Sequence, residues 1–436
     1  MALTGRLALA AAAGAVLVML LVGALHSPPV GTVLAVNALL AVGVLIDLAL
    51  AGPVRPLRVS RRGDDAVRLG ETAEVELLLA NPSRRPVRAR VRDAWPPSAG
   101  ALTQRHRMTL PPGERRGAVT VLTPTRRGDR LADRVTVRST GPLGLAARQG
   151  SHRVPWRLRV LPPFSSRKHL PSKLARLREL DGRTLVLQRG QGSEFDSLRE
   201  YVVGDDVRSI DWRATARAAD VMVRTWRPER DRHVLLVLDT GRTSAGRVGD
   251  APRLDAALDA ALLLAALASR AGDRVDLLAH DRARRARVAG AASTELLARL
   301  VTAMAGLEPS LVETNWSGAV VDVLHQVPRR ALVVLLTPLE PAPLREGLLP
   351  VLPLLTSRHR VLLASVADPR VGEMAAERGD VGAVYDAAAA ARLRAERARV
   401  RAELARLGVA VVDAEPDALP PALCDTYLAL KAAGRL

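Results

Sequence analysis

The chain has 436 residues, room for two or three domains at about 100 to 200 residues each. Its 64 Lys and Arg exceed 45 Asp and Glu, a net charge of +19, and the surplus lies between residues 55 and 178, whereas the signs balance from 179 onward. The single cysteine, Cys424, excludes an internal disulfide, the eight histidines never fall at zinc-ligand spacing, and 2% aromatic residues weigh against a single-strand nucleic-acid binder.

Two apolar runs open the chain, Leu7 to Leu25, which is uncharged, and Val30 to Ala51, whose one charged residue is Asp47; His26, Ser27, Pro28 and Pro29 separate them. At about 1.5 Å per residue each is long enough to cross a bilayer as a helix, and the break suits a tight hairpin. A cleaved signal peptide followed by one anchor is the weaker reading: the first run exceeds a usual signal core and only Arg6 flanks it. Arg55, Arg58, Arg61 and Arg62 follow the second run, so the positive-inside rule puts both termini and the soluble domains in the cytoplasm of a multi-pass protein of the cell membrane. Asp47, near the end of the second run, reads as an interfacial carboxylate near Arg55.

From residue 55 to 162 period-two runs replace the helical period. Val75, Leu77 and Leu79 alternate with Glu74, Glu76 and Leu78, as do Val87, Ala89 and Val91 with Arg88, Arg90 and Arg92. Turn pairs such as Asn81-Pro82 and Gly141-Pro142 punctuate them, which predicts a small basic β-sandwich. The arginine stripe suits anionic lipid headgroups, and equally a solvated strand face. A nucleic-acid role is not expected.

After a connector, 163–192, a signature block begins the last domain, 193–436. Glu194, Asp196, Arg199, Tyr201, Gly204, Asp205, Asp206, Arg208, Asp211, Trp212 and Arg217 fall within it. Charges of alternating sign at this density predict an ion-paired network in which Arg199, Arg208, Arg213 and Arg217 neutralise the acids, so that removing one partner would strand a buried charge. The competing reading gathers the 194–211 carboxylates into a metal cluster for hydrolysis. Downstream, strands over Val221–Trp226, His233–Leu238, Val275–Ala279, Arg285–Val288, Ala331–Leu336, Val361–Val366 and Val409–Val412 alternate with helices over Leu254–Ala271, Ser293–Met304, Ser317–His325 and Leu393–Leu407. Continuous Val and Leu strands between helices predict an α/β domain with a mostly parallel sheet, whose ligand crevice lies at the carboxyl ends of the strands, where Asp239 sits.

The block from Glu194-Phe195-Asp196 through Arg199-Glu200-Tyr201, Gly204-Asp205-Asp206, Arg208, Ile210-Asp211-Trp212 and Ala216-Arg217 resembles domain-of-unknown-function family 58. The resemblance extends to Tyr427-Leu428-Ala429-Leu430-Lys431, Arg127-Gly128, Gly141-Pro142-Leu143-Gly144-Leu145 and the two leading helices. It implies a von Willebrand factor A-like, Rossmann-type open sheet and a partnership with a MoxR-type AAA+ ATPase. A von Willebrand A domain usually carries a metal-ion-dependent adhesion site with a DxSxS motif, a loop Thr and a later Asp. Asp239 and Thr243 match and Thr314 serves as the loop Thr, but Gly241 replaces the first Ser and Pro338 the last Asp. The site therefore reads as degenerate, without a tightly bound Mg2+ or other cofactor, unless Glu340 substitutes.

No nucleophile-plus-base arrangement and no GxxxxGK[ST] loop is present, so the expectation is a non-enzymatic, membrane-anchored adaptor that partners the ATPase in assembly or maturation of an envelope complex. The alternatives are the metal-dependent hydrolase and a purely structural membrane tether.

Overall fold

The computed structural model describes residues 2–187, 194–218, 220–227 and 232–434. Two compact units divide the chain at Leu161 and Pro162.

In the first unit, α1 (Gly5–Leu25) and α2 (Pro29–Leu50) form an antiparallel pair, each long and apolar enough to cross a membrane, with mean hydropathy 2.5 and 2.4. The hairpin turn uses the residues that the sequence offers for it. His26 takes a left-handed conformation, Ser27 Oγ donates to Leu21 O at 2.7 Å, and Pro29 opens α2, where a missing N–H costs nothing. Beyond them lie β1 (Arg58–Gly63), β2 (Ala66–Arg68), β3 (Ala73–Ala80), β4 (Val87–Asp93), β5 (Arg105–Leu110), β6 (Arg115–Leu122), β7 (Gly128–Thr140) and β8 (Ala146–Leu161). One sheet runs β8-β7-β4-β5, with β2 and the pair Ala2–Leu3 also on β8; the other runs β1-β3-β6.

Alternation decides which face is buried. Leu77 and Leu79 of β3 pack against Val87, Ala89 and Val91 of β4 and Val135 and Val137 of β7, giving the expected two-sheet core, while Arg88, Arg90 and Arg92 stay exposed. Arg61 belongs to this interior: its guanidinium meets Asp93 at 2.6 Å with both side chains fully buried, beside the Trp95 ring. It is therefore not one of the surface bases that follow the second helix.

Asp47 also departs from its expected place. Its carboxylate is fully buried and accepts the backbone amides of Leu143 at 2.8 Å, Leu145, and Ala146 at 3.0 Å, in the β7–β8 turn. Gly141 is required there, because a Cβ at that position would collide with Asp47 Oδ1. The nearby last carbonyls of α2 are capped by Arg148 Nε, donating to Leu48 O at 2.8 Å, and Arg85, donating to Ala49 O at 2.7 Å.

The second unit opens with α3 (Leu170–Leu187), so most of the stretch read as a connector is helical. β9 (Glu194–Glu200) pairs antiparallel with β10 (Met222–Arg227). Then come β11 (His233–Asp239), α4 (Arg253–Arg270), β12 (Arg274–His280), β13 (Arg284–Val288), α5 (Leu296–Ala305), α6 (Trp316–Gln326), β14 (Leu332–Leu336), β15 (Arg360–Val366), α7 (Pro369–Ala376), α8 (Val381–Arg406), β16 (Ala410–Ala414) and α9 (Leu419–Ala432). The main sheet has the order β13-β12-β11-β14-β15-β16 and is parallel except at β13. Leu235, Val237, Val333, Leu335, Val361 and Leu363 point to a core shared with α6 and α8; α4 and α9 pack together on the sheet. Leu263 and Leu264, like the strand interiors, are fully buried, which is why α4 reads as a continuous apolar run.

Candidate functional site

β11 is the first strand of the main sheet, and its two neighbours, β12 and β14, lie on opposite sides of it. The connections after β11 and β14 therefore diverge, leaving a crevice at their carboxyl ends. This crevice has a volume of about 260 Å³, and Asp239, Arg242, Thr314, Trp316, Thr337 and Glu346 are among its lining residues.

Asp239 is 2% exposed and its oxygens are filled. Oδ1 accepts Gly241 N at 2.8 Å and Thr314 Oγ1 at 2.5 Å; Oδ2 accepts Thr337 Oγ1 at 2.7 Å and Thr243 Oγ1 at 3.1 Å. A carboxylate offers about four lone-pair positions, and four donors occupy them here. The structure thus gathers Asp239, Gly241, Thr243 and Thr314 as the motif implies, and adds Thr337, which the sequence pattern left out. Only its place, one residue before Pro338 at the end of a buried strand, signals it. Pro338 lines the same crevice and brings no oxygen from its side chain. Glu340 is held elsewhere, by Arg253 Nη1 at 2.6 Å. Arg242 pairs with Glu313 at the rim.

Gly241 leaves the space that Thr314 uses, since a Cβ on residue 241 would strike Thr314 Oγ1. The missing Ser and the inward-turned Thr314 are thus two sides of one local arrangement.

The signature block forms the β9–β10 hairpin and its 201–221 connection. Within it, Val202 N donates to Asp205 Oδ2 at 2.9 Å across a turn in which Gly204 has φ 110°, a value that favours glycine. Asp206 caps a short turn by accepting Arg208 N at 3.0 Å, and Asp211 caps the next by accepting Arg213 N and Ala214 N. Among the described residues Arg199 pairs with Asp205 at 2.5 Å and Arg224 with Asp211 at 2.8 Å. The Ala214 amide and the Arg224 guanidinium hold the Asp211 carboxyl below its ordinary range.

The expected buried network is therefore corrected. Arg208 and Arg213 meet the neighbouring acids through their backbone amides, because an acid two residues ahead of an amide folds back onto it as an Asx turn. Asp206, Arg208 and Arg217 are exposed, and Tyr201 is half-buried. Glu194 and Asp196 lie on β9; their side chains fall outside the described residues. Among the described residues no group of three or more His, Cys, Asp or Glu is arranged to hold a metal.

The connection carries a feature that charge counting missed. Val202, Val203, Val207 and Trp212 are all exposed, Val203 by 94% and Trp212 by 70%.

The family model described as protein of unknown function DUF58 matches residues 197–411, from the hairpin to the last strand. Residues 197–411 carry the DUF58 domain. Uncharacterized proteins of Mycobacterium bovis and Mycobacterium tuberculosis are 29% identical to this chain over 221 residues, 48% of its length and 67% of theirs. Among solved structures, the CARDB domain of the PF1109 protein from Pyrococcus furiosus aligns with 24% of the chain and 86% of its own, at 22% identity and TM-score 0.19. The MG7-to-C-terminus part of Escherichia coli alpha-2-macroglobulin aligns with 26% of the chain and 18% of its own, at 16% identity and TM-score 0.22.

Proposed function

We propose that this DUF58 protein is a membrane-anchored cytoplasmic adaptor that docks a protein partner through its signature hairpin, the partner being a MoxR-type AAA+ ATPase engaged in envelope-complex assembly or maturation. The observation that carries the docking role is the exposed Val202, Val203, Val207 and Trp212 on one short, well-capped connection. Large apolar side chains grouped at the surface favour a protein contact, and Trp is a frequent anchor of such contacts. The identity of the partner rests on the family resemblance alone.

On this reading the second unit is a von Willebrand A-like domain. The sheet order around β11 and the position of Asp239 support that assignment. Its adhesion site does not hold Mg2+ tightly, since one carboxylate with three threonine hydroxyls turned onto it supplies a single negative charge to an ion that gives up water reluctantly.

The test uses the full chain in lipid nanodiscs and a purified MoxR-type ATPase. Val203→Ser with Trp212→Ser is expected to abolish ATPase capture and leave the melting temperature unchanged, because neither side chain is packed. Asp206→Ala and Arg208→Ala each shift stability by about 1 kcal/mol or less, as exposed sites do. Undiminished capture by the double variant would refute the docking role.

A further inference from the structure

We infer that the turn between β7 and β8, Gly141 to Leu145, is a membrane wedge: its backbone lies at the bilayer interface and the side chains of Leu143 and Leu145 enter the hydrocarbon beside α2. The inference rests on the reading of α1 and α2 as membrane spans.

Depth along the helix pair places the turn. Gly14 of α1 faces Val36 and Leu40 of α2, so the antiparallel pair sets Arg6 at about the level of Asp47 and Leu9 at about the level of Gly43. Arg6 opens the first span and marks the headgroup plane, its long side chain reaching Gly144. A Cβ on Gly43 would lie 2.9 Å from Leu145 Cδ1 and 3.7 Å from Leu143 Cδ1. Gly43 is four residues before Asp47, about 6 Å deeper at 1.5 Å per residue. The two leucines therefore reach roughly one helical turn below the plane that Arg6 and Asp47 define.

Irregular backbone is tolerated at that depth only when its polar groups are satisfied within the protein. Here the amides of Leu143, Leu145 and Ala146 donate to Asp47. The carbonyl of Gly144 accepts Thr4 Oγ1, that of Leu145 accepts Thr4 N, and Gly141 N donates to Ala146 O. A buried carboxylate in an otherwise uncharged span, and a threonine ahead of the other, together satisfy three amides and two carbonyls of one turn. Leu143 remains 49% exposed, with the spans for neighbours. The occupant that fits an exposed leucine at this level is phospholipid acyl chain, and Arg85 and Arg148, bound to the last carbonyls of α2, stand where headgroup phosphates would be.

The test places an environment-sensitive fluorophore on single cysteines in the full chain carrying Cys424→Ala. Reconstitution is into vesicles of phosphatidylcholine and phosphatidylglycerol with bromines at a shallow acyl position. Leu9→Cys is the depth-matched reference, since Leu9 is 73% exposed on α1. Leu102→Cys reports the opposite end of the β domain, because β4 runs from Val87, beside Gly52, to Asp93, about 20 Å away at strand rise. The label at Leu143→Cys is expected to be quenched as strongly as that at residue 9, with residue 102 unquenched. Quenching at 9 with none at 143 would overturn the wedge alone, whereas no quenching at 9 would overturn the spans and the wedge with them. Pro142→Cys, on the same exposed turn, gives the same readout if Leu143→Cys fails to fold.

Discussion

Asp239 shows how one residue's surroundings decide its chemistry. Three threonine hydroxyls and the Gly241 amide already donate to it, so a metal would have to turn those protons away before its own attraction counted. Asp239→Asn replaces an acceptor oxygen by a donor and sets it against hydroxyls that lose their partner, at a cost of about 2–4 kcal/mol. The melting temperature of the variant is expected to fall by the same amount with and without millimolar Mg2+, and that of the wild type to be indifferent to it. A metal present at one hundred times its dissociation constant would add about 2.7 kcal/mol, so a Mg2+-dependent rise in the wild type, lost in Asp239→Asn, would refute this account. Asp239, Thr243 and Thr314 were legible through the family resemblance, whose motif fixes the spacing of the first two. Thr337 and the pairing of Glu340 with Arg253 were not, since both depend on which strands become neighbours.

At the scale of elements, periodicity found what was one-sided or uniformly apolar: the two leading helices, the alternating strands, α4 and the buried strands. It missed elements whose pattern is neither. α8 begins at Val381, a dozen residues before the apolar pattern does, because its early turns are a run of alanines with no single apolar face. α9, which has no counterpart among the predicted helices, opens on Leu419-Pro420-Pro421; proline in a helix's first turn gives up only amides that have no partner there. That helix closes the second unit. Tyr427 Oη donates to Asp273, Lys431 Nζ meets Asp273 Oδ1 at 2.7 Å, and Lys173 of α3 reaches Asp425 at 2.7 Å. The resemblance noted at Tyr427 to Lys431 thereby acquires a physical cause. Burial pushes the Asp273 carboxyl above its ordinary range, against the pull of Lys431, Tyr427 and Arg232. Protonation of Asp273 is thus easier in the folded chain than in the unfolded one. Stability linked to this group is complete below the unfolded carboxylate value and is lost as pH rises through the raised folded one. Lys431→Met removes the main compensating charge, raises the value further, and strands the carboxylate at neutral pH, costing about 3–5 kcal/mol. The difference in melting temperature between variant and wild type is expected to shrink as pH falls from 7 through the range just above ordinary carboxylate titration. A difference independent of pH would show that Lys431 acts by packing alone.

For the whole molecule, the charge partition is the broadest feature and the one most altered by the fold. The excess of bases lies in the sandwich, yet Arg61 is buried against Asp93, and Arg85 and Arg148 are spent on the carbonyls ending α2. The bases left exposed directly after the second span are Arg55, Arg58 and Arg62. Three bases within the first dozen residues of a span still outweigh the absence of any in the four-residue turn between helices, and the rule weighs bases near span ends most heavily. With Arg6 before the first span at the same end of the hairpin, the bias has one sign at every countable position. Both termini are therefore expected on the cytoplasmic side. Reporters fused after Leu436 provide the measurement: a cytoplasm-dependent fluorescent protein is expected to light up and alkaline phosphatase, which needs the oxidising exterior, to stay inactive. Replacing Arg55, Arg58 and Arg62 together by Gln, while leaving the buried Arg61 in place, should weaken the preference and admit some exterior phosphatase activity. Phosphatase activity of the wild-type fusion would reverse the orientation and remove a cytoplasmic ATPase from the range of partners that the hairpin can reach.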